Sequence, residues 1–290
     1  MNPSRKRGVI FAVLAAVFYA LNAPVSKLLL SSIPPSMMAS FLYLGAGLGM
    51  TLLQTAAKRR GIAVQEQKLT RRELPYTIAM VVLDIAAPVA LMLGIERTSA
   101  ANASLLNNFE IVATSLIALF LFKENISPKL WLGIGLVTLA SILLSVEDLG
   151  NFSFSAGSLL VLAACVCWGF ENNCTRMLSS KSPFQIVVTK GIGSGLGSML
   201  IALFAGEAVP GFLSIVMALC LGFAAYGLSI TFYLYAQREL GAARTSAYYA
   251  IAPFIGAALS LLLFHEIPPA SFVLALIIMI AGTAVVTVSQ

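Results

Sequence analysis

The chain has 290 residues, of which 59% are hydrophobic and only 10% charged, with a formal net charge of +6. Water-soluble domains carry about 25% charged residues, so this composition excludes an ordinary solvated surface and points to lipid as the surrounding medium. The basic excess would suggest nucleic acid in a soluble chain. Here it flanks apolar blocks, so it reads as a topology signal and no nucleic-acid partner is expected.

The apolar residues come in blocks long enough to cross a bilayer as helices, about 20 residues each. Alternating ten-residue segments of a membrane β-barrel are absent. Ten spans are expected, at 8–29, 36–57, 73–94, 99–122, 129–147, 156–178, 184–205, 211–235, 242–264 and 270–289. The first follows Arg5, Lys6 and Arg7, as a signal peptide would, but its apolar run is too long for one and similar blocks follow. Pro34-Pro35, Ser182-Pro183, Pro210-Gly211 and Pro268-Pro269 mark breaks between spans. The longest loop, 58–72, carries Lys58, Arg59, Arg60, Lys68, Arg71 and Arg72. With the N-terminus inside, these and Lys123, Lys129, Arg176, Lys181 and Arg238 are cytoplasmic, Lys27 and Arg97 are outside, and both termini are cytoplasmic. The loop near 148–155 holds Asp148 and no basic residue, which places it outside. Cys165, Cys167, Cys174 and Cys220 all fall within spans and read as small packing residues rather than a disulfide framework or a metal set.

The two halves, 1–150 and 151–290, repeat one another. At an offset of 148, Leu14-Ala15-Ala16 matches Leu162-Ala163-Ala164, Leu30-Ser31-Ser32 matches Leu178-Ser179-Ser180, Pro35 matches Pro183, and Gly45, Gly47, Gly49 match Gly193, Gly195, Gly197. At an offset of 142, Ala100-Ala101 matches Ala242-Ala243, Ser104 matches Ser246, and Leu121-Phe122-x-Glu124 matches Leu263-Phe264-x-Glu266. Five spans per half is an odd number, so the second copy is inverted across the membrane. Inverted repeats recur in secondary transporters, with the substrate held near the midplane.

Several of these segments carry a family resemblance. Leu121-Phe122-Lys123-Glu124 ending span 4, Leu263-Phe264-His265-Glu266 ending span 9, Trp168-Gly169-Phe170-Glu171-Asn172-Asn173 in span 6 and Pro253 in span 9 resemble the ten-helix EamA-type branch of the drug/metabolite transporter superfamily. The resemblance covers nearly the whole chain. It implies a central cavity lined by spans 1, 3, 4, 6, 8 and 9, with 5 and 10 peripheral, and transport without ATP hydrolysis, often as export. It does not imply a substrate, since the family handles amino acids, amines, nucleotide precursors, sugars and lipid-linked sugars. One departure is Asn107-Asn108-Phe109-Glu110-Ile111, where the family commonly has a proline near Ile111.

Acids inside spans are costly and therefore candidate functional residues. Glu110 near the centre of span 4 is the first, with Ser104, Asn107 and Thr114 at helical spacing making one polar face; its alternative is a buried acid satisfied by neighbouring Asn side chains or kept neutral. Asp84 in span 3 lies four residues before Pro88, whose missing N–H frees carbonyls that a protonated Asp would satisfy; an interhelical hydrogen bond is the alternative. Glu171 shares a face with Trp168, Asn172 and Thr175, a combination suited to an alkylammonium group. Its alternative is an ion pair with Lys190, about 10 Å into span 7. Tyr19, Tyr226, Tyr233, Tyr248 and Tyr249, and Asn22 with Ser26, are candidate cavity-lining residues. Glu124 and Glu266 read as capping groups, and the single histidine, His265, as a loop residue.

Three buried acids against one buried lysine suggest a cationic or zwitterionic substrate, with Glu110 as substrate or proton site and Lys190 as a gate or ion-pair residue. An intramembrane enzyme would need a nucleophile–base pair or a metal set, and the sequence carries no such motif. A substrate-free assembly subunit would not need several polar faces in its core. The expected partners are a small-molecule substrate, the lipid bilayer and protons, with no cofactor. A monomer is sufficient, since one chain holds both repeats, and a dimer is compatible with it. Compact loops and the resemblance suggest a bacterial inner membrane.

Overall fold

The structure is a computed structural model, and it describes residues 3–59, 67–123, 127–148, 153–178, 181–240, 245 and 248–289. Arg60, Glu124, Ser179, Ser180, Ala242, Ala243, Arg244 and Ser246, used in the sequence reading, lie outside these residues. The described chain is almost entirely helical: α1 (Pro3–Ala20), α2 (Asn22–Leu29), α3 (Pro35–Arg59), α4 (Leu74–Arg97), α5 (Ala100–Leu106), α6 (Phe109–Phe122), α7 (Pro128–Ser145), α8 (Ala156–Met177), α9 (Pro183–Phe204), α10 (Phe212–Gly222), α11 (Ser229–Leu240), α12 (Ala252–Phe264) and α13 (Ala270–Ser289). A π-helical turn, Phe223–Leu228, joins α10 to α11. Where a plain loop was expected at the midpoint, β1 (Val146–Asp148) and β2 (Ser153–Phe154) form a small antiparallel hairpin.

Among the described residues, eight helical stretches are long and apolar enough to cross a membrane. The two remaining expected spans are α8, whose interior carries Glu171 and two asparagines, and the stretch ending in the shorter apolar helix Ala252–Phe264. The protein is therefore a polytopic helical membrane protein. Large apolar side chains such as Phe120, Leu132, Phe204, Leu213 and Leu262 point outward, as a lipid-facing surface requires.

Local chemistry sets the helix ends. Ser99, Ser127, Ser155 and Ser182 each accept a backbone N–H three residues on, starting α5, α7, α8 and α9. Pro128 and Pro183 occupy the first turn, where no N–H is needed. Lys123 and His265 end α6 and α12 in the left-handed conformation, at φ 54° and 52°. These two residues are matched in the repeats, so the Leu-Phe-Lys-Glu and Leu-Phe-His-Glu segments are helix stops. The expectation that Glu266 caps a following helix has no counterpart among the described contacts.

Inside lipid no hydrophobic force draws helices together, so close packing must do it. The glycines provide the approach. A Cβ at Gly45 would lie 2.1 Å from the Leu219 carbonyl oxygen, and one at Gly222 2.0 Å from that of Leu42, so α3 and α10 touch backbone to backbone. Gly47 and Gly191 meet in the same way across α3 and α9. The helix contacts come in matched sets: α4 on α8 and α1 on α11, α3 on α10 and α4 on α9, α6 on α8 and α1 on α12. Gly193 and Gly197 of α9 rest on Val81 and Ile85 of α4, as Gly45 and Gly49 of α3 rest on Leu219 and Phe223.

Spans 1, 4, 8 and 9 are interrupted, the first at Leu21, the second at Asn107-Asn108, the third by the π-helical turn and the fourth at Ala250-Ile251. The fourth span, expected at 99–122, is one apolar stretch over Ala100–Leu121 with a turn at Asn107-Asn108 between α5 and α6. No proline is responsible: the Asn108 side-chain amide donates to the Leu105 carbonyl at 3.0 Å, a local bond that competes with the helical ladder.

Substituting Gly45→Ala or Gly222→Ala is expected to overpack the α3–α10 contact, by about 1–3 kcal/mol or more. This appears as a lower melting temperature of the purified protein in detergent. Gly135→Ala on α7, where nothing lies within 4 Å of the added carbon, should leave it unchanged or slightly higher.

Candidate functional site

The polar residues of the bundle interior fall into two connected groups. The first is ionic. Asp84 on α4 and Glu171 on α8 are both buried, and Lys190 on α9 reaches between them, with Nζ 3.1 Å from Asp84 Oδ2 and 3.1 Å from Glu171 Oε1. The other Asp84 oxygen accepts from the Tyr43 hydroxyl of α3 at 2.9 Å, and Trp168 Nε1 donates to that hydroxyl at 3.4 Å. The Thr175 hydroxyl, one turn along α8, donates to Glu171 Oε1. Oδ2 of Asp84 has no hydrogen-bond partner beside its ionic contact with Lys190.

Asp84 therefore does not serve the carbonyls freed by Pro88; an interhelical hydrogen bond and an ion pair hold it instead. Of the two readings of Glu171, the geometry realises the ion pair with Lys190, and adds Asp84 as a second partner. Trp168 is turned to Tyr43 rather than open to a ligand.

The second group surrounds Glu110. This residue is half-buried at the start of α6, directly after the break in span 4. Asn172 of α8 donates to Glu110 Oε1 at 2.7 Å and to Thr114 Oγ1 at 3.2 Å. Among the described residues Glu110 has no basic partner. The predicted polar face is split by the break: Glu110 and Thr114 face α8, whereas Ser104 is buried against Gly256 of α12 and Asn107 lies by Cys165.

A chain of tyrosine rings runs across the bundle. Tyr43 and Tyr226 are 5.1 Å apart, Tyr226 and Tyr19 6.1 Å, Tyr19 and Tyr249 5.7 Å, and Tyr249 and Tyr233 5.0 Å. Four of these were foreseen; Tyr43 was not, although a tyrosine two residues before the glycine-rich face of α3 was a visible signal. Asn22, at the start of α2, donates to the Tyr226 hydroxyl at 2.9 Å and accepts from Ser26. Tyr19, Tyr226 and Tyr249 all lie within electrostatic reach of Glu110. The structure thus brings together Asn22, Tyr19, Tyr226, Tyr249, Glu110 and Asn172, with Asp84, Glu171, Trp168 and Lys190 on the other side of Tyr43. Tyr248 is exposed, apart from this ladder.

The two ends of the bundle differ. Lys27 on α2, also missed as a functional residue, donates to the carbonyls of Ile95, Glu96 and Thr98 at 2.6, 3.0 and 2.8 Å, tying α2 to the end of α4. At the same end α5 packs on α2 and α12. In the other half of span 4, α6 packs chiefly on α8 and α7 among the described residues.

Interrupted helices around a buried polar midplane, in an otherwise apolar bundle, define the class: a polytopic membrane transporter. The chain belongs to the EamA-like transporter family, whose domain matches it twice, at residues 6–146 and 155–288. It is 26% identical over 278 residues to an uncharacterized transporter of Methanothermobacter thermautotrophicus, covering 89% of this chain and 80% of that one. To an uncharacterized transporter of Clostridium kluyveri it is 26% identical over 314 residues, covering 97% and 93%. A crystallographically solved protein superposes with a TM-score of 0.67 at 17% identity over 98% of this chain and 97% of that one, which shows the shared fold.

Lys190→Met leaves two buried carboxylates unpaired and is expected to destabilise the protein by about 3–5 kcal/mol. Adding Asp84→Asn and Glu171→Gln to it removes the uncompensated charge and should recover most of the loss. Thermal unfolding of the purified variants measures both steps.

Proposed function

We propose that this protein is a secondary transporter that carries a small organic cation or zwitterion, an amine or an amino acid, across the cytoplasmic membrane of a bacterium-like cell. One observation carries the substrate charge. Of the three intramembrane acids, Asp84 and Glu171 share Lys190, whereas Glu110 has no basic partner among the described residues and keeps one oxygen outside its bond to Asn172. A half-buried carboxylate in that position, beside a ladder of tyrosine rings, suits an ammonium group through charge and cation–π attraction.

Alternating access without ATP hydrolysis is the mechanism we infer. Two five-span units of opposite orientation account for the matched helix contacts, the paired left-handed helix stops and the two family matches. With the basic loops on the cytoplasmic side, the Lys27 end is external. The contacts of α5 with α2 and α12 then describe a bundle drawn together outside. Proton exchange and export are compatible with this reading. A monomer holds the complete site.

The test is uptake by the purified protein in proteoliposomes, using a panel of amino acids, quaternary amines and polyamines, with and without a pH gradient. Loss of a hydrogen bond to a charged group is worth about 1.5–3 kcal/mol, so Glu110→Gln should lower uptake roughly ten- to hundredfold. Wild-type uptake by a folded Glu110→Gln protein would remove Glu110 from the site. Silence of the wild-type protein across the panel would point to an anionic, neutral or lipid-linked substrate.

A further inference from the structure

We infer that the Asp84–Lys190–Glu171 cluster is a binding site for one exchangeable proton, separate from Glu110, and that it is the coupling site of the transport reading on which this assignment rests. The argument begins with charge. Two carboxylates from α4 and α8 meet one ammonium from α9, and no other basic side chain pairs with either acid among the described residues. Fully ionised, the cluster carries one excess negative charge in a buried, low-dielectric setting, where an uncompensated charge costs several kcal/mol. One more positive charge makes it neutral, and a proton supplies it without needing any added room. Tyr43 fills one oxygen of Asp84, Lys190 faces the other, and Thr175 crowds Oε1 of Glu171. The buried oxygen of the cluster without a hydrogen bond is Oδ2 of Asp84. The titratable groups around the cluster are Tyr43 of α3, Glu110 of α6, Cys174 of α8 and Tyr226 of the π-helical turn, and none supplies a cation.

The cluster is also placed to act. Its three charges sit on three helices, α4, α8 and α9, and Asp84 is joined through Tyr43 to the tyrosine ladder, where Tyr43 and Tyr226 are in ring contact and Tyr226 is held by Asn22 of α2. With the proton bound, Lys190 is matched to one carboxylate. With the proton gone to bulk water, it must hold two. The tie between α9 and its two neighbours therefore changes with occupancy. Glu110 lies within electrostatic reach of Glu171 and Lys190 but takes no part in their ion pairs, and its own hydrogen bond goes to Asn172. Substrate and proton thus have different carboxylates.

Infrared difference spectroscopy on the full-length protein in nanodiscs tests the site without any substrate. On acidification the wild-type protein should gain the carbonyl stretch of a protonated buried carboxylic acid, and Asp84→Asn and Glu171→Gln are compared in a Glu110→Gln background so that Glu110 contributes no band of its own. Asp84→Asn and Glu171→Gln each leave one acid balanced by Lys190, so each should lose that band, while Glu110→Gln should keep it. A band that survives in either of the first two variants, is absent from the wild type, or vanishes in Glu110→Gln overturns the assignment. If one of the two variants does not yield monodisperse protein, the other decides. The coupling role is read in proteoliposomes with choline and putrescine as probes: Asp84→Asn and Glu171→Gln should lose pH-driven accumulation but retain exchange between equal pools. Retained accumulation would overturn coupling. A wild-type band with no transport of any amine or amino acid would instead count against the substrate reading and leave the proton site standing.

Discussion

The interior of this bundle depends on one ammonium group. Lys190 is the only basic side chain that the described residues bring to the buried acids, and it serves two of them at 3.1 Å each. Removing a charge from water is expensive, and a buried pair offsets that expense only with good geometry and further hydrogen bonds. Tyr43, Thr175 and Trp168 complete that requirement from α3 and α8. The consequence reaches across the fold. To bring Lys190 to this cluster α9 packs on α4, with Gly193 and Gly197 against Val81 and Ile85, and on α3 through Gly191 and Gly47, while the long lysine side chain covers the remaining distance to Glu171 of α8. The small-residue faces and the ion cluster are therefore two parts of one constraint.

That constraint also defines what the rest of the site is free to do. Once Lys190 is committed, Glu110 is left with neutral donors. It sits immediately beyond the interruption at Asn107-Asn108, and the interruption turns it toward Asn172 instead of along the face shared with Ser104. An interrupted helix places an acid at the midplane without burying it completely, because the chain there is already irregular and its polar groups need partners. The interruption at Leu21 does something similar for span 1. It gives α2 its own direction, with Asn22 on the tyrosine ladder and Lys27 on the carbonyl end of α4. The six residues 22–27 thus join the site to one end of the bundle.

Much of this was legible in the residues themselves. Spans follow from apolar length, and most of their boundaries lie within a few residues of the helices, because serine caps and prolines stop helices for local reasons. Glycines matched at the 148-residue offset each lie against a neighbouring helix, Gly45 and Gly49 against Leu219 and Phe223, Gly193 and Gly197 against Val81 and Ile85. The acids were also found, because in lipid a carboxylate is conspicuous. What stayed hidden were the partners. Helical spacing joins Ser104 to Glu110, but a break driven by an Asn side chain does not show in periodicity. Depth along the helix suggested Lys190 for Glu171; that Asp84 would claim it too is set by the packing of α4 against α9. Tyr43 and Lys27 escaped for the same reason, as each is defined by what lies across a helix interface.

Under the alternating-access mechanism proposed above, the two ends of the fourth span would exchange roles. α5 is packed against α2 and α12, and α6 against α8 and α7. A matched architecture has an alternative in which these roles are exchanged, and the two arrangements would use equivalent contacts with similar energies. Their balance is then decided by the features that are not matched. Lys190 has no lysine at the equivalent position of α3, where the 148-residue offset gives Leu42, and Glu171 has no acid in α2, where it gives Ala23. The ion cluster belongs to one half only. Any ligand that alters its charge changes the tie between α9 and its neighbours without an equal and opposite change in the other half, and a difference of that kind is what biases a two-state equilibrium.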